Sequence, residues 1–384
     1  MDRRGRTVRV RDSEPADMTP RERFLSSVTF AEPDRLILTQ FYGYMPGVLE
    51  RWQSEGMPEP RGDWPLEELG LDDTGEFTLP VNLGPVPAEP ERILHDDDET
   101  RISTDALGRR MRLIKRSSTL PLPMEFPVKN MADWLRLKPR FSYCPERLPE
   151  GLPGSPKGWI EQCRQALADG RWICFRRAGF FHFPRELMGD LALGAAYYEQ
   201  PELVRDILET YTELVLQMAE HITANVAVDV VATGEDFAYK AGPFMSPRTA
   251  EEFIIPYYLQ VNDFFSRRGT KVFLLDSDGQ LEPLIPLLLE AGINAIAPFE
   301  VQAGMDTAAA RRRYGRSLAM LGGIDKLAIA RGREAIEREL EARLPPVVKT
   351  GGYVASLDHR VVIETSCADF LYYIARARDY LSRR

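Results

Sequence analysis

From about residue 158 to the C-terminus the chain alternates between two textures. Short apolar runs (RWICFRR, DVVATGEDF, KVFLLDSDG, NAIAPFEV, LAMLGGID, GGYVASLDH) are separated by longer amphipathic stretches such as QPELVRDILETYTELVLQMAEHITANV and GREAIERELEARL. A short continuous apolar run suits a strand buried on both faces, and an amphipathic stretch suits a helix laid over it. These six runs, with RLILTQF near the N-terminus and room for more between, predict a parallel sheet wrapped by helices. The economical architecture is α/β, a single closed (β/α)8 TIM barrel. An open doubly wound sheet is the alternative, but no strand-turn-helix carries GxGxxG and no GxxxxGK[ST] occurs.

Before residue 158 the pattern is less regular. TPRERFLSSVTF predicts a capped helix, with Thr19 as N-cap, Pro20 in the first helical position and Glu22 completing a capping box. From about residue 42 to residue 145 proline and glycine become frequent, and TRISTDALGRRMRLIKR alternates like a hairpin around Ala106-Leu107-Gly108. This region reads as an insertion on the first barrel connection, so residues 19–384 form one domain. Its acidic run HDDDE, residues 95–99, reads as a solvated turn. Residues 1–18, rich in arginine, read as a disordered basic tail.

Composition removes several classes. A net charge of −9 argues against a general nucleic-acid binder. No stretch approaches the roughly 18 apolar residues of a membrane helix. Cys144, Cys163, Cys174 and Cys367 are scattered without a CxxC pair, and no apolar core follows the N-terminal arginines to make a secretory signal. Both features fit a reduced, cytoplasmic protein.

Chemistry collects where the apolar runs end. DVVATGEDF offers Glu235 and Asp236, with Tyr239 and Lys240 just beyond; KVFLLDSDG offers Asp276 and Asp278. NAIAPFEV ends on Glu300, LAMLGGID on Asp325, and GGYVASLDH on Asp358 and His359. In a parallel barrel the loops after the strands gather at one mouth, so these groups are the candidate site. Helix capping is the competing role for any one of the acids. Asp276 and Asp278 are two residues apart and share a face if the strand persists, and two anions there repel unless a metal, a cation or a shared proton intervenes. No EF-hand spacing, GxSxG elbow or HExxH is present. Of the four histidines, only His359 stands out by placement.

RERFLSSVTFAEPDRL, GEDFAYKAGPFMSPRTAEEFIIPYY, DSDGQLEPLIPLLLEAGINAIAPFE, YGRSLAMLGGID and GGYVASLDHRV, in that order, resemble the uroporphyrinogen decarboxylase superfamily, which includes corrinoid-linked methyltransferases. The decarboxylase branch implies a cofactor-free barrel with an Asp under the substrate, a Tyr and a C-terminal His, the last matched by His359. Its early arginine block is not matched; ILTQFYGYMPGVLERW carries Gln40, Tyr42 and Tyr44 there, and Arg176 and Arg177 are partial substitutes. The methyltransferase branch implies zinc and a separate corrinoid protein docking at the mouth. Where thiol-activating members carry His-x-Cys, this chain has Asp276 and Asp278, so thiolate ligation is replaced by oxygen.

The resemblance leads to an expected enzyme that moves a methyl group from a small methoxylated or methylamine-type substrate to a corrinoid protein. Glu235, Asp276, Asp278 and His359 are the expected ligands of a divalent metal, zinc first. His359, Asp276, Tyr239 and Lys240 are the expected catalytic groups. Tyr42, Tyr44, Arg176, Arg177, Phe181, Glu300 and Asp325 are expected to contact substrate. The chain lacks the DxHxxG corrinoid motif, so a corrinoid would come on a partner. A decarboxylase without metal and a non-catalytic binding barrel are the alternatives, and a homodimer is implied by resemblance.

Overall fold

The computed structural model describes residues 17–58, 66–116, 120–148 and 158–382. The expected basic tail lies outside the described residues but for its last two. Thr19 caps the helix Pro20–Val28: its hydroxyl accepts the Glu22 N–H, and the Glu22 carboxylate accepts the Thr19 N–H. This helix packs where the sheet begins, with Phe24 stacked on Trp172 at 4.5 Å.

Strand β1 (Glu76–Thr78) precedes an antiparallel sheet of β2 (Ile93–Asp96), β3 (Thr100–Thr104), β4 (Arg110–Ile114) and β5 (Leu122–Pro123). β3 and β4 pair across the turn at Ala106-Leu107-Gly108, where the alternation predicts a hairpin. In the acidic run, Asp96 pairs with Arg101 and Lys115, and Asp97 with His95. Next come β6 (Trp172–Ala178), β7 (Val230–Gly234), and the short pair β8 (Ala238–Tyr239) and β9 (Gly242–Pro243). The last strands are β10 (Val272–Asp276), β11 (Ala295–Ala297), β12 (Ala319–Leu321) and β13 (Tyr353–Val354).

β1, β6, β7, β10, β11, β12 and β13 form, in that order, a curled parallel sheet of seven strands with helices between them. The fold is therefore mixed α/β and barrel-like, with seven paired strands among the described residues where eight were expected. Among the described residues the run RLILTQF pairs just beyond β13 through an isolated bridge between Leu38 and Ala355. On its other side Asp72 N–H reaches the Leu38 carbonyl, but the Leu38 N–H is taken by the Asp72 side chain at 2.8 Å. A carboxylate thus stands where a ladder carbonyl would be, and no strand pairing propagates from Leu38 toward β1. β1 itself belongs to the main sheet although it lies within the region read as an insertion.

Strand alternation sorts side chains into two layers. Trp172, Cys174, Val230, Ala232, Val272, Leu274, Ala295, Ala297, Ala319, Leu321 and Val354 form an inner cluster. Ile173, Phe175, Val231, Phe273, Leu275, Ile296, Met320 and Tyr353 face the surrounding helices in a larger one. Among the described residues no helix is long and apolar enough to cross a membrane.

Candidate active site

Continuing the inner-face parity to the strand ends places Arg176 on β6 and Asp276 on β10. Between them β7 contributes only Ala232, opposite Arg176, and Gly234, opposite Asp276. Two small residues leave a gap across which the longer side chains approach: Arg176 Nη1 is 3.9 Å from Asp276 Oδ2. Arg176 also donates to Glu76 Oε1 on β1 at 2.8 Å. From the loop after Leu38, the Tyr42 hydroxyl donates to Asp276 Oδ1 at 2.8 Å. The Tyr42 ring stacks on the imidazole of His359 at 5.3 Å and 8°. His359 Nε2 lies 3.5 Å from Asp278 Oδ2, close enough for attraction but too far for a well-formed hydrogen bond. Buried Gln40 ties the two loops together, donating to the carbonyls of Gly43 and His359.

The electrostatics of this cluster are uneven. Burial pushes the Asp276 carboxyl above its ordinary value; Asp278 and Asp236 push the same way, while the Tyr42 hydroxyl and Arg176 oppose them. Burial and Asp276 in turn raise the Tyr42 phenol well above the usual range. The Tyr42 phenol thus keeps its proton and donates it to a half-buried carboxyl.

Other sequence-derived candidates have different surroundings. Glu235 follows the outer parity of β7 and is fully buried on the helix side. Its oxygens accept the N–H groups of Phe180, Phe181 and His182 and, at 2.5 Å, the Tyr258 hydroxyl. It secures the start of the helix His182–Met188, and burial raises its pKa. Asp325 caps the helix Lys326–Ala330 through Leu327 N–H, and its remaining bonds go to Gln302 and Arg331. The competing role, binding the N–H groups at a helix start, therefore accounts for the hydrogen bonds of both acids, which were expected to hold a metal (Glu235) and substrate (Asp325).

Arg177 points to the helix side, over the rings of Phe180 and Tyr258, away from the face that holds Arg176. Tyr44 is a core residue, edge-on to Trp52 and Phe370. Phe181 is buried beneath Phe244, in a stack that continues to Tyr239. Tyr239 and Lys240 sit on the exposed β8–β9 hairpin, and among the described residues no hydrogen bond or ring contact joins them to Asp276, Asp278 or His359. They flank the mouth instead of belonging to its acid cluster. Glu300 accepts the N–H of Gly279 and so steadies the loop that carries Asp278.

A metal site requires several donors converging on one point. Among the described residues no group of three or more His, Cys, Asp or Glu is so arranged. Glu235 is on the far side of the sheet with both oxygens engaged, and Asp276 is engaged by Tyr42. The set Glu235, Asp276, Asp278 and His359 therefore does not converge as a zinc site needs, strand parity separating Glu235 from the other three.

Two site residues escaped the sequence reading. Glu76 lies in a three-residue strand among prolines and glycines, too short to show a period. Lys326 directly follows Asp325; its ammonium, without a hydrogen bond, stands 3.5 Å from buried Asp358 and 3.8 Å from Glu300. The position just beyond a strand end was the signal available for Lys326.

Polar side chains gathered where the strands of a curled parallel sheet end define a barrel-type enzyme fold. The family model described as uroporphyrinogen decarboxylase (URO-D) matches residues 190–380. The chain belongs to the uroporphyrinogen decarboxylase superfamily. Among solved structures it is similar to a methyltransferase from Methanosarcina mazei, with TM-score 0.58 and 15% identity over 94% of this chain and 99% of that one. At this identity the likeness concerns the fold. A B12-independent methionine synthase from Shewanella sp. W3-18-1 overlaps more loosely, with TM-score 0.33 and 12% identity over 57% of this chain and 65% of that one. No curated protein matches the sequence.

Proposed function

We propose that the chain is a methyltransferase that takes a methyl group from a small methoxylated or methylamine-type substrate and passes it to a corrinoid carried by a partner protein. The observation that carries this reading is the Tyr42–Asp276 pair, a half-buried carboxyl held by a phenol and pushed above its ordinary pKa by desolvation. Breaking a methyl–oxygen bond leaves its electron pair on oxygen, and an alkoxide departs poorly unless protonated. Asp276 gives that proton and Tyr42 holds the carboxyl in place. Arg176 anchors the other carboxylate oxygen's side of the site, and His359, stacked on Tyr42, shapes the wall opposite. With a methylated ammonium the amine leaves neutral and needs no proton; Asp278 and Glu300 then supply the negative field that draws the cation in. The corrinoid, for which this chain has no motif, supplies the nucleophile that accepts the methyl group.

One observation favours a second reading, decarboxylation without a cofactor. The cluster unites an Asp, a Tyr and a C-terminal His, the residue types the resemblance implies for the decarboxylase branch. Methyl transfer to free cob(I)alamin, followed by its absorbance change with a panel of methoxylated aromatics and methylamines, tests the first reading. Transfer that is lost in Asp276→Asn for ethers supports it. No transfer from any donor, together with CO2 release from carboxylated aromatics, overturns it in favour of the second.

A further inference from the structure

Arg176 and Arg177 are neighbours in sequence and strand parity turns them to opposite faces of β6, yet both border one cavity. Arg176 is neutralised within the mouth by Glu76 and Asp276. Arg177 is 4% exposed and has no carboxylate within salt-bridge distance among the described residues. Its Nη1 donates to the Ala178 carbonyl, but Nε and Nη2 are buried without an acceptor. The flat faces of the guanidinium are occupied by Phe180 at 4.4 Å and Tyr258 at 5.0 Å, so the free N–H groups lie at its edge.

The nearest acids are already engaged. Glu186 pairs with Arg109 at 2.7 Å, and Glu235 receives three backbone N–H groups and the Tyr258 hydroxyl. Arg177 borders a cavity of about 390 Å³ between β6 and the hairpin region, walled by Leu83, Leu107, Phe141 and Tyr211, with Arg176 and the Arg109-paired Glu186 at its rim. His182 lines the same cavity, and its Nδ1 is likewise buried and unpartnered. A cavity of this size falls within the roughly 300–1,000 Å³ that holds small organic ligands.

We infer that the cavity beside Arg177 and His182 is a binding site for a small aromatic or aliphatic carboxylate. The carboxylate accepts from Nε and Nη2 of Arg177, the edge geometry that suits a two-oxygen acceptor, with His182 Nδ1 as a further partner. The apolar body of the ligand packs on Leu83, Leu107, Phe141 and Tyr211. Arg176, held by Glu76, borders the cavity from the mouth side, and the inference does not depend on the methyl-transfer reading.

Benzoate is the probe, titrated calorimetrically into the full chain beside Arg177→Gln, Leu107→Trp and Asp276→Asn. One benzoate per chain is expected, with affinity lower by about 10-fold or more in Arg177→Gln and for benzyl alcohol, which has the shape without the charge. Leu107→Trp, in the hairpin turn and clear of the guanidinium, fills the cavity and is expected to abolish binding even if Arg177→Gln fails to fold. Asp276→Asn is expected to bind normally. Absence of saturable binding at millimolar benzoate overturns the inference. So does binding that survives Leu107→Trp or disappears in Asp276→Asn, since the ligand would then occupy another place.

Discussion

The hydroxyl of Tyr42 donates to Asp276 across 234 residues of sequence, and the same tyrosine ring lies flat on His359. One side chain therefore joins the loop after Leu38, the end of β10 and the loop after β13. Because the hydroxyl favours the ionised carboxylate, its removal raises the Asp276 pKa further. Tyr42→Phe is expected to move the alkaline limb of the activity profile to higher pH and to lower kcat by about 10-fold to 100-fold. A profile that stays in place would separate Asp276 from the titration that governs turnover.

The raised pKa of Asp276 also has a consequence for stability. A carboxyl raised above its unfolded value contributes stability that is fully present below the unfolded pKa and is lost as pH rises through the folded one. Asp276→Asn cannot ionise and has no such dependence at this position. Wild type is therefore expected to lose stability relative to the variant as pH rises above the ordinary carboxyl value of about 4. Urea midpoints of both proteins across that range check this; parallel curves would show that Asp276 ionises normally.

Glu235 is expected to matter to folding more than to turnover. Glu235→Ala leaves three N–H groups and the Tyr258 hydroxyl unpaired in the interior, at a cost of about 3 kcal/mol or more. Gly179→Ala reaches the same carboxylate from the other side, since a Cβ there would stand 1.8 Å from Glu235 Cδ. Both variants are expected to unfold at markedly lower urea concentration, and a near-neutral Gly179→Ala would contradict the packing described.

The donor arrangement at the mouth predicts indifference to chelation. Extensive dialysis against EDTA, monitored by elemental analysis, is expected to leave the thermal midpoint and any methyl transfer unchanged. Stoichiometric zinc lost together with activity, and absent from Asp276→Ala and His359→Ala, would restore the metal role.

Replacing Lys326 tests the buried charge network behind the mouth. Burial raises the pKa of Asp358 and Lys326 opposes that rise. In Lys326→Met the Asp358 carboxyl should stay protonated to higher pH, so stability above neutral pH falls by about 1–3 kcal/mol while acid stability is retained. Unfolding at pH values on either side of neutrality reads the difference.

Much of the architecture follows from local pattern. The six apolar runs after residue 158 all contain strands, and the Thr19 capping box is present, because burial and capping are decided within a few residues. The end of KVFLLDSDG could be recognised as a mouth position for the same reason. What local pattern cannot convey is partnership. Leu38 fails to extend a ladder because a side chain from Asp72 occupies its N–H.

The sequence by itself determined the alternation of strands and helices and the accumulation of acids at strand ends. Only the tertiary structure decided which acids act together, for two physical reasons. Strand parity sends Asp276 inward and Glu235 outward, and the curl of the sheet brings Tyr42 onto Asp276 and stacks His359, from the other end of the chain, on Tyr42 beside Asp278.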